Sequence, residues 1–200
     1  MRTSKPIATI SYNTDAYLVG VLEKLRERNV VEFWAFIPHE PEDDETKPHK
    51  HVYVVPAKML QTVDLQKEFS ELDMTNLAHP KGVIMFVSSK FDDWYMYGLH
   101  DEAYLASKGQ SRKYHYLPHD FVTSDTDTLN ELVRRIDHLS ITPYRVMVEC
   151  IHQGLTWSQF FKRGSVPIAQ LNQYRAAWEI LSGGEVDMGS TYRHGKDGHE

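Results

Sequence analysis

Residues 6–12, Pro-Ile-Ala-Thr-Ile-Ser-Tyr, are rich in β-branched and aromatic side chains and predict a first strand. Leu18, Val21, Leu22 and Leu25 then recur at helical spacing after a cap at Asn13, Thr14 or Asp15, which predicts a helix closing near Asn29. A second strand over 30–37 and a third over 49–55, closed by Pro56, flank residues 38–48. The prolines and carboxylates of that segment cannot pack a core and predict an acidic loop. Strand, short loop and strand predict an antiparallel pair with its facing ends together. A helix over about 64–72 and a fourth strand over 82–88 follow. The next helix, capped by Asp92 or Asp93, carries Trp94, Tyr95, Tyr97, His100 and Tyr104 and leads to a short extended segment at 113–116.

Past Asp120 the pattern turns wholly helical, over 128–139, 143–153, 156–162 and 167–181. This change of architecture places a boundary near residue 123: a first domain over 1–122, a helical region over 123–182, and a Gly-rich polar tail over 183–200 that reads as disordered.

Composition narrows the class. The 200 residues carry 22 basic and 28 acidic side chains, a net charge of −6, and are 41% hydrophobic. That balance belongs to a folded domain and excludes a disordered chain or a wholly basic nucleic-acid coat. The single cysteine, Cys150, cannot form an internal disulfide, and residues 1–5 lead into the first strand without an apolar core, so a cytoplasmic location is expected. No apolar run approaches the ~20 residues needed to span a bilayer, which argues against a membrane role. The 11 histidines are the unusual entry.

Three groups of residues carry chemistry. His49 and His51 alternate with Lys50 on the third strand, so both imidazoles point to one face and can converge on one ion. Two surface histidines on an edge strand would look the same, but His39 lies across the hairpin mouth, beside the carboxylates Glu40, Glu42, Asp43, Asp44 and Glu45. A mixed imidazole and oxygen site suits Mn²⁺ or another first-row ion, with Mg²⁺ as the alternative. On the aromatic helix Tyr97, His100 and Tyr104 fall at spacings that share a face, although Trp94, Tyr95 and Met96 fit ordinary packing on a sheet. Between Glu102 and Asp120 there is no acidic residue, while Lys108, Arg112 and Lys113 are interleaved with Tyr114, His115 and Tyr116. Cations among stacking aromatics suit single-stranded nucleic acid, and a solvated loop could have the same composition.

Taken together, Lys47-Pro-His-Lys-His-Val-Tyr53, then Trp94-Tyr-Met-Tyr-Gly-Leu-His-Asp101, then Tyr104-Leu-Ala-Ser-Lys-Gly-Gln-Ser-Arg-Lys-Tyr-His-Tyr116, resemble the rolling-circle plasmid replication initiators of the HUH endonuclease superfamily over roughly residues 5–120. The resemblance implies an α+β fold: an antiparallel sheet of about five strands with flanking helices, followed here by a small all-helical C-terminal region. It also implies a metal-dependent nicking and closing of one strand at a plasmid origin, through a 5′-phosphotyrosyl intermediate that leaves a 3′-hydroxyl primer. On this mapping His49 and His51 are central metal ligands, His39 a third, and Glu42 stands at an acidic ligand position. Lys50 departs from the hydrophobic residue usual between the paired histidines, with its stem expected over apolar surface and its ammonium in water. Tyr97 with His100 fits the Tyr-x-x-His spacing. Tyr104 fits the Tyr-Leu lead-in but has Ser107 where histidine is expected, so both tyrosines stand as nucleophile candidates, with His100 as a base.

The implied partner is origin DNA, as a single-stranded or hairpin nick site with adjacent duplex, contacted through Lys108, Arg112, Lys113, Tyr114 and Tyr116. The C-terminal helices fit either a helix-turn-helix whose second helix offers only Arg175 as a base-contacting cation, or packing and homo-oligomerisation. Two rival functions use the same residues: a hydrolytic metal phosphoesterase attacking with water, and a non-catalytic DNA-binding regulator whose histidines are surface residues.

Overall fold

The computed structural model describes residues 2–3, 5–40, 48–61, 87–88, 90–136, 141–163, 166 and 168–183. The helix expected over 64–72, most of the fourth strand, Glu42 and nearly all of the tail lie outside the described residues. The described chain is α+β. By contacts it forms two compact units, one from the residues up to Leu99 with Tyr116–Ile136, the other from His100–His115 with the residues after Ile136.

In the first unit, β2 (Ile7–Ser11), β3 (Val31–His39) and β4 (His49–Pro56) make the body of an antiparallel sheet, with β4 in the middle. Two-residue ladders extend it: β6 (Val87–Ser88) outside β2 and β7 (Val122–Thr123) outside β3. A separate pair joins β1 (Arg2–Thr3) to β5 (Leu60–Gln61). Among the described residues the sheet thus has three longer strands and two edge ladders of two residues each.

Helix α1 (Asp15–Glu27) begins where Thr14 accepts the Tyr17 N–H through its hydroxyl at 3.4 Å. The predicted stripe of Leu18, Val21, Leu22 and Leu25 is buried, packed with Trp34, Phe36, Val52 and Val54 on one face of the sheet. Each such side chain contributes roughly 1.5–3 kcal/mol by leaving water. The opposite face receives α2 (Phe91–Gly98), whose Phe91 and Trp94 rings meet Tyr53 at 5.6 and 4.9 Å. Covered on both faces, β3 is nearly all buried, and its apolar run Phe33–Ile37 lacks the alternation of a half-exposed strand.

The single helix expected to carry Tyr97, His100 and Tyr104 is in fact two. Helix α2 ends at Gly98, His100 adopts a left-handed backbone with φ 51°, and α3 (Glu102–Ser107) restarts under Asp101, whose carboxylate accepts the Tyr104 N–H at 2.8 Å. The break destroys the helical phase on which the shared face depended. Residues 113–116 form no strand, and α4 (Thr126–Arg134) belongs to the first unit, so compactness does not divide the chain at 123.

The second unit packs α3 against α5 (Thr142–His152) and α7 (Leu171–Leu181), with α6 (Trp157–Arg163) alongside. Ala103, Ala106, Met147, Phe160 and Trp178 fill its core, and Tyr144 stacks on Tyr174 at 4.6 Å. Burial, with the Tyr174 phenol beside it, pushes Tyr144 up to about 12. A folded value above the unfolded one means that stability is intact below the unfolded pKa of about 10 and declines as pH rises toward 12. Tyr144→Phe, with no proton to lose, is expected to flatten this alkaline decline, measured as the difference in thermal midpoint of the second unit between pH 9 and pH 11.5.

Candidate metal centre

Strand pairing builds the centre. In the β3–β4 register His39 lies opposite His49 and Ile37 opposite His51, while β2 sets Ile10 against His51 on the other side. Alternation then directs His39, His49 and His51 to the face covered by α2. One ring nitrogen from each of the three lies within 4.8 Å of the others, a grouping that could hold a metal ion. The Nε2 atoms of His49 and His51 approach to 3.1 Å. Two neutral imidazoles brought this close with the same atom forward can share one proton between them or give both lone pairs to a cation. The donor set therefore fits a divalent transition ion.

His39 is buried, 3% exposed, and its Nε2 stands 2.7 Å from the Gly98 carbonyl. A carbonyl only accepts, so Nε2 carries the proton and donates it, which leaves Nδ1 as the lone-pair nitrogen of the neutral ring. Such an outer hydrogen bond fixes the tautomer and orientation of a ligating histidine. Gly98 can reach β3 only because it lacks a side chain: a Cβ there would sit 3.0 Å from Ile37 Cγ2 and 3.4 Å from Phe121 Cζ. Ile37 is fully buried and has little room to yield. In Gly98→Ala the overpacking outweighs the gain in helix propensity, and a net loss of about 1 kcal/mol is expected in denaturant titration of the first unit. The Mn²⁺ affinity is expected to fall with it, as the Gly98 carbonyl is pushed off His39.

Tyr97 closes the other side. Trp94, Tyr95 and Met96 go into the core as ordinary packing, and Tyr97 stays half-buried with its ring edge-on to His51 at 5.3 Å. Burial pushes the Tyr95 phenol up, and burial with the Asp92 carboxylate pushes Tyr53 up further, so neither of these core phenols is poised to ionise. Tyr12 brings a further ring to 6.0 Å from His49.

Lys50 does not extend into water. Its side chain is 11% exposed, and its ammonium pairs with Asp15 of α1 at 3.1 Å on the face away from the histidines. Sequence reasoning also missed two groups that hold His39, the Gly98 carbonyl and the Tyr116 ring, which lies parallel to the imidazole at 4.3 Å. Neither contact leaves a spacing signature.

His100, Tyr104, Lys108, Arg112, Lys113 and Tyr114, also expected at the site, lie in the second unit. His100 is buried with Nδ1 donating to the Tyr114 carbonyl at 2.7 Å, and His115 Nδ1 donates back to the His100 carbonyl at 2.6 Å, so His100 ties down its own turn. Tyr104 lies on α3 with the Lys108 ammonium 5.0 Å from its ring centre, and Ser107 donates to the Tyr104 carbonyl at 2.6 Å. Lys108, Arg112, Lys113 and Tyr114 are all exposed on one segment, with the Lys113 ammonium 5.3 Å from the Tyr114 ring centre. Arg175 is turned inward, its Nε on Glu179 at 3.3 Å and its guanidinium 5.4 Å from the Trp157 ring centre, so the one cation of the expected recognition helix is engaged within its own unit.

No family model matches the chain, and no curated protein matches it either. Among the described residues, no helix is long and apolar enough to cross a membrane.

Proposed function

We propose that the protein is a replication initiator of the rolling-circle type, a metal-dependent tyrosine transesterase that nicks one strand of origin DNA and can rejoin it. The observation that carries this reading is the convergence of His39, His49 and His51 with the Tyr97 ring against His51. His39, His49 and His51 would hold the ion, with Glu42 as a further oxygen ligand. Three imidazoles favour Mn²⁺ over Mg²⁺. When bound, the ion supplies Lewis-acid polarisation of the scissile phosphate.

The remaining work falls to side chains. Tyr97 Oη attacks phosphorus, forming an O–P bond as the bond from phosphorus to the 3′-oxygen breaks. The phenol gives up its proton to solvent, and the departing 3′-oxygen takes one from water, so charge and atoms balance. The phosphotyrosyl ester keeps the bond energy for later closure, and the 3′-hydroxyl is left as a primer. Strand register keeps the three imidazoles on one face, and the Gly98 carbonyl fixes the tautomer of His39. Lys108, Arg112 and Lys113 would neutralise backbone phosphates while Tyr114 stacks a base.

The test is direct. A pool of single-stranded oligonucleotides of randomised sequence, labelled at the 3′ end, is incubated with the protein and Mn²⁺, and denaturing electrophoresis follows. Label that migrates with the protein supports the proposal. Cleaved oligonucleotide without an adduct identifies a hydrolase, and retention on the native protein without cleavage identifies a DNA-binding regulator.

A further inference from the structure

Tyr116 stands 76 residues beyond Glu40 in the sequence, yet it grips the end of β3 at two points. Its ring lies over the His39 imidazole with centroids 4.3 Å apart and planes 5° from parallel. Its hydroxyl accepts the Glu40 N–H at 3.0 Å, one residue further along the chain. Its own backbone N–H donates to the Leu99 carbonyl at 3.0 Å, next to the Gly98 carbonyl that receives His39 Nε2–H. The contacts form a closed circuit running from His39 to Gly98, through Leu99 to Tyr116, and back to His39 and Glu40.

The ring stacks on the imidazole, whereas the other rings around this centre meet their neighbours edge-on or tilted. Parallel stacking covers one whole face of the imidazole and hinders the half-turn that would replace Nε2 by carbon at the Gly98 carbonyl. The hydroxyl anchor keeps the phenol from sliding off. We infer that Tyr116 is a positioning residue that locks the His39 ring in the Nε2–H orientation and so presents Nδ1 as the ligand nitrogen of the centre. The inference rests on the reading of the three histidines as a metal site, and it gives Tyr116 a task other than the base stacking expected from its place in the basic strip.

The experiment pairs Tyr116→Leu, which removes stack and hydroxyl, with Tyr116→Phe, which keeps the stack. Mn²⁺ affinity is measured by calorimetry on the full chain, and the ring nitrogens of His39 are followed by ¹⁵N NMR without metal. Loss of a group that orients a ligating histidine typically costs 10–100-fold in affinity, so about tenfold or more is expected for Tyr116→Leu and a few-fold for Tyr116→Phe. In the metal-free Leu variant the His39 nitrogen signals should move from a single Nε2–H tautomer toward an average of two, with the thermal midpoint of the first unit little changed. Wild-type affinity together with unmoved His39 signals in Tyr116→Leu overturns the inference. Should that variant not fold, Tyr116→Phe decides on the same two readouts. If the wild type takes up no Mn²⁺, the metal reading falls, and the His39 signals alone decide the role of Tyr116.

Discussion

Tyr97→Phe is expected to abolish the covalent protein–DNA adduct while leaving Mn²⁺ binding within about twofold of the wild type. The phenol oxygen is the atom that would bond to phosphorus, and the core phenols of Tyr53 and Tyr95 are buried and pushed up in pKa, so they do not take its place. Removing a nucleophile outright costs on the order of 10³–10⁶ in rate, so the adduct should fall to background in the gel assay. The ring of the replacement keeps its edge against His51, so the fold and the centre persist. Tyr104→Phe is expected to retain the adduct. An adduct that survives Tyr97→Phe and vanishes in Tyr104→Phe would move the nucleophile to α3, and one that survives both would exclude both tyrosines as the nucleophile.

The second large effect concerns the histidines. Mn²⁺ at 100 times its dissociation constant stabilises the form that binds it by about 2.7 kcal/mol. For a chain of this size that raises the melting midpoint of the first unit by roughly 5–10 °C. In His49→Ala the rise should disappear, because one of two facing Nε2 donors is gone, while the midpoint without metal stays close to that of the wild type at a half-buried strand end. Differential scanning calorimetry with and without Mn²⁺ reads both numbers. Equal rises in wild type and His49→Ala would place the bound ion elsewhere. No rise in either would remove the metal from the mechanism.

The histidine centre was legible because it depends on two short-range rules. Alternation puts His49 and His51 on one face, and a hairpin-like pair brings the end of β3 opposite the start of β4, so His39 follows. The α1 stripe was legible for the same reason. The α2–α3 break was harder: Gly98 and Asp101 carried a stop and a start, but the aromatic run across them reads as one continuous face. What decided the matter was His100 in a left-handed turn stitched to residues 114–115, a tertiary contact. Tyr116 on His39 and Lys50 on Asp15 were invisible because nothing in local periodicity reports them; the hydroxyl contact of Tyr116 spans 76 residues. The edge ladder at Val87–Ser88 falls within the strand expected over 82–88, whereas Val122–Thr123 is held by its pairing with Ala35 and Phe36 and left no strand pattern.

The pairing of His39 with His49 reaches beyond the chemistry. A one-residue slip of β4 against its neighbours would turn His49 and His51 toward the Leu22 side and Lys50 toward Tyr97, since strand side chains alternate strictly. Uptake of metal at the proposed centre would therefore also report strand register: a population that has collapsed with the sheet misaligned would retain its secondary structure and its hydrophobic burial and still fail to bind.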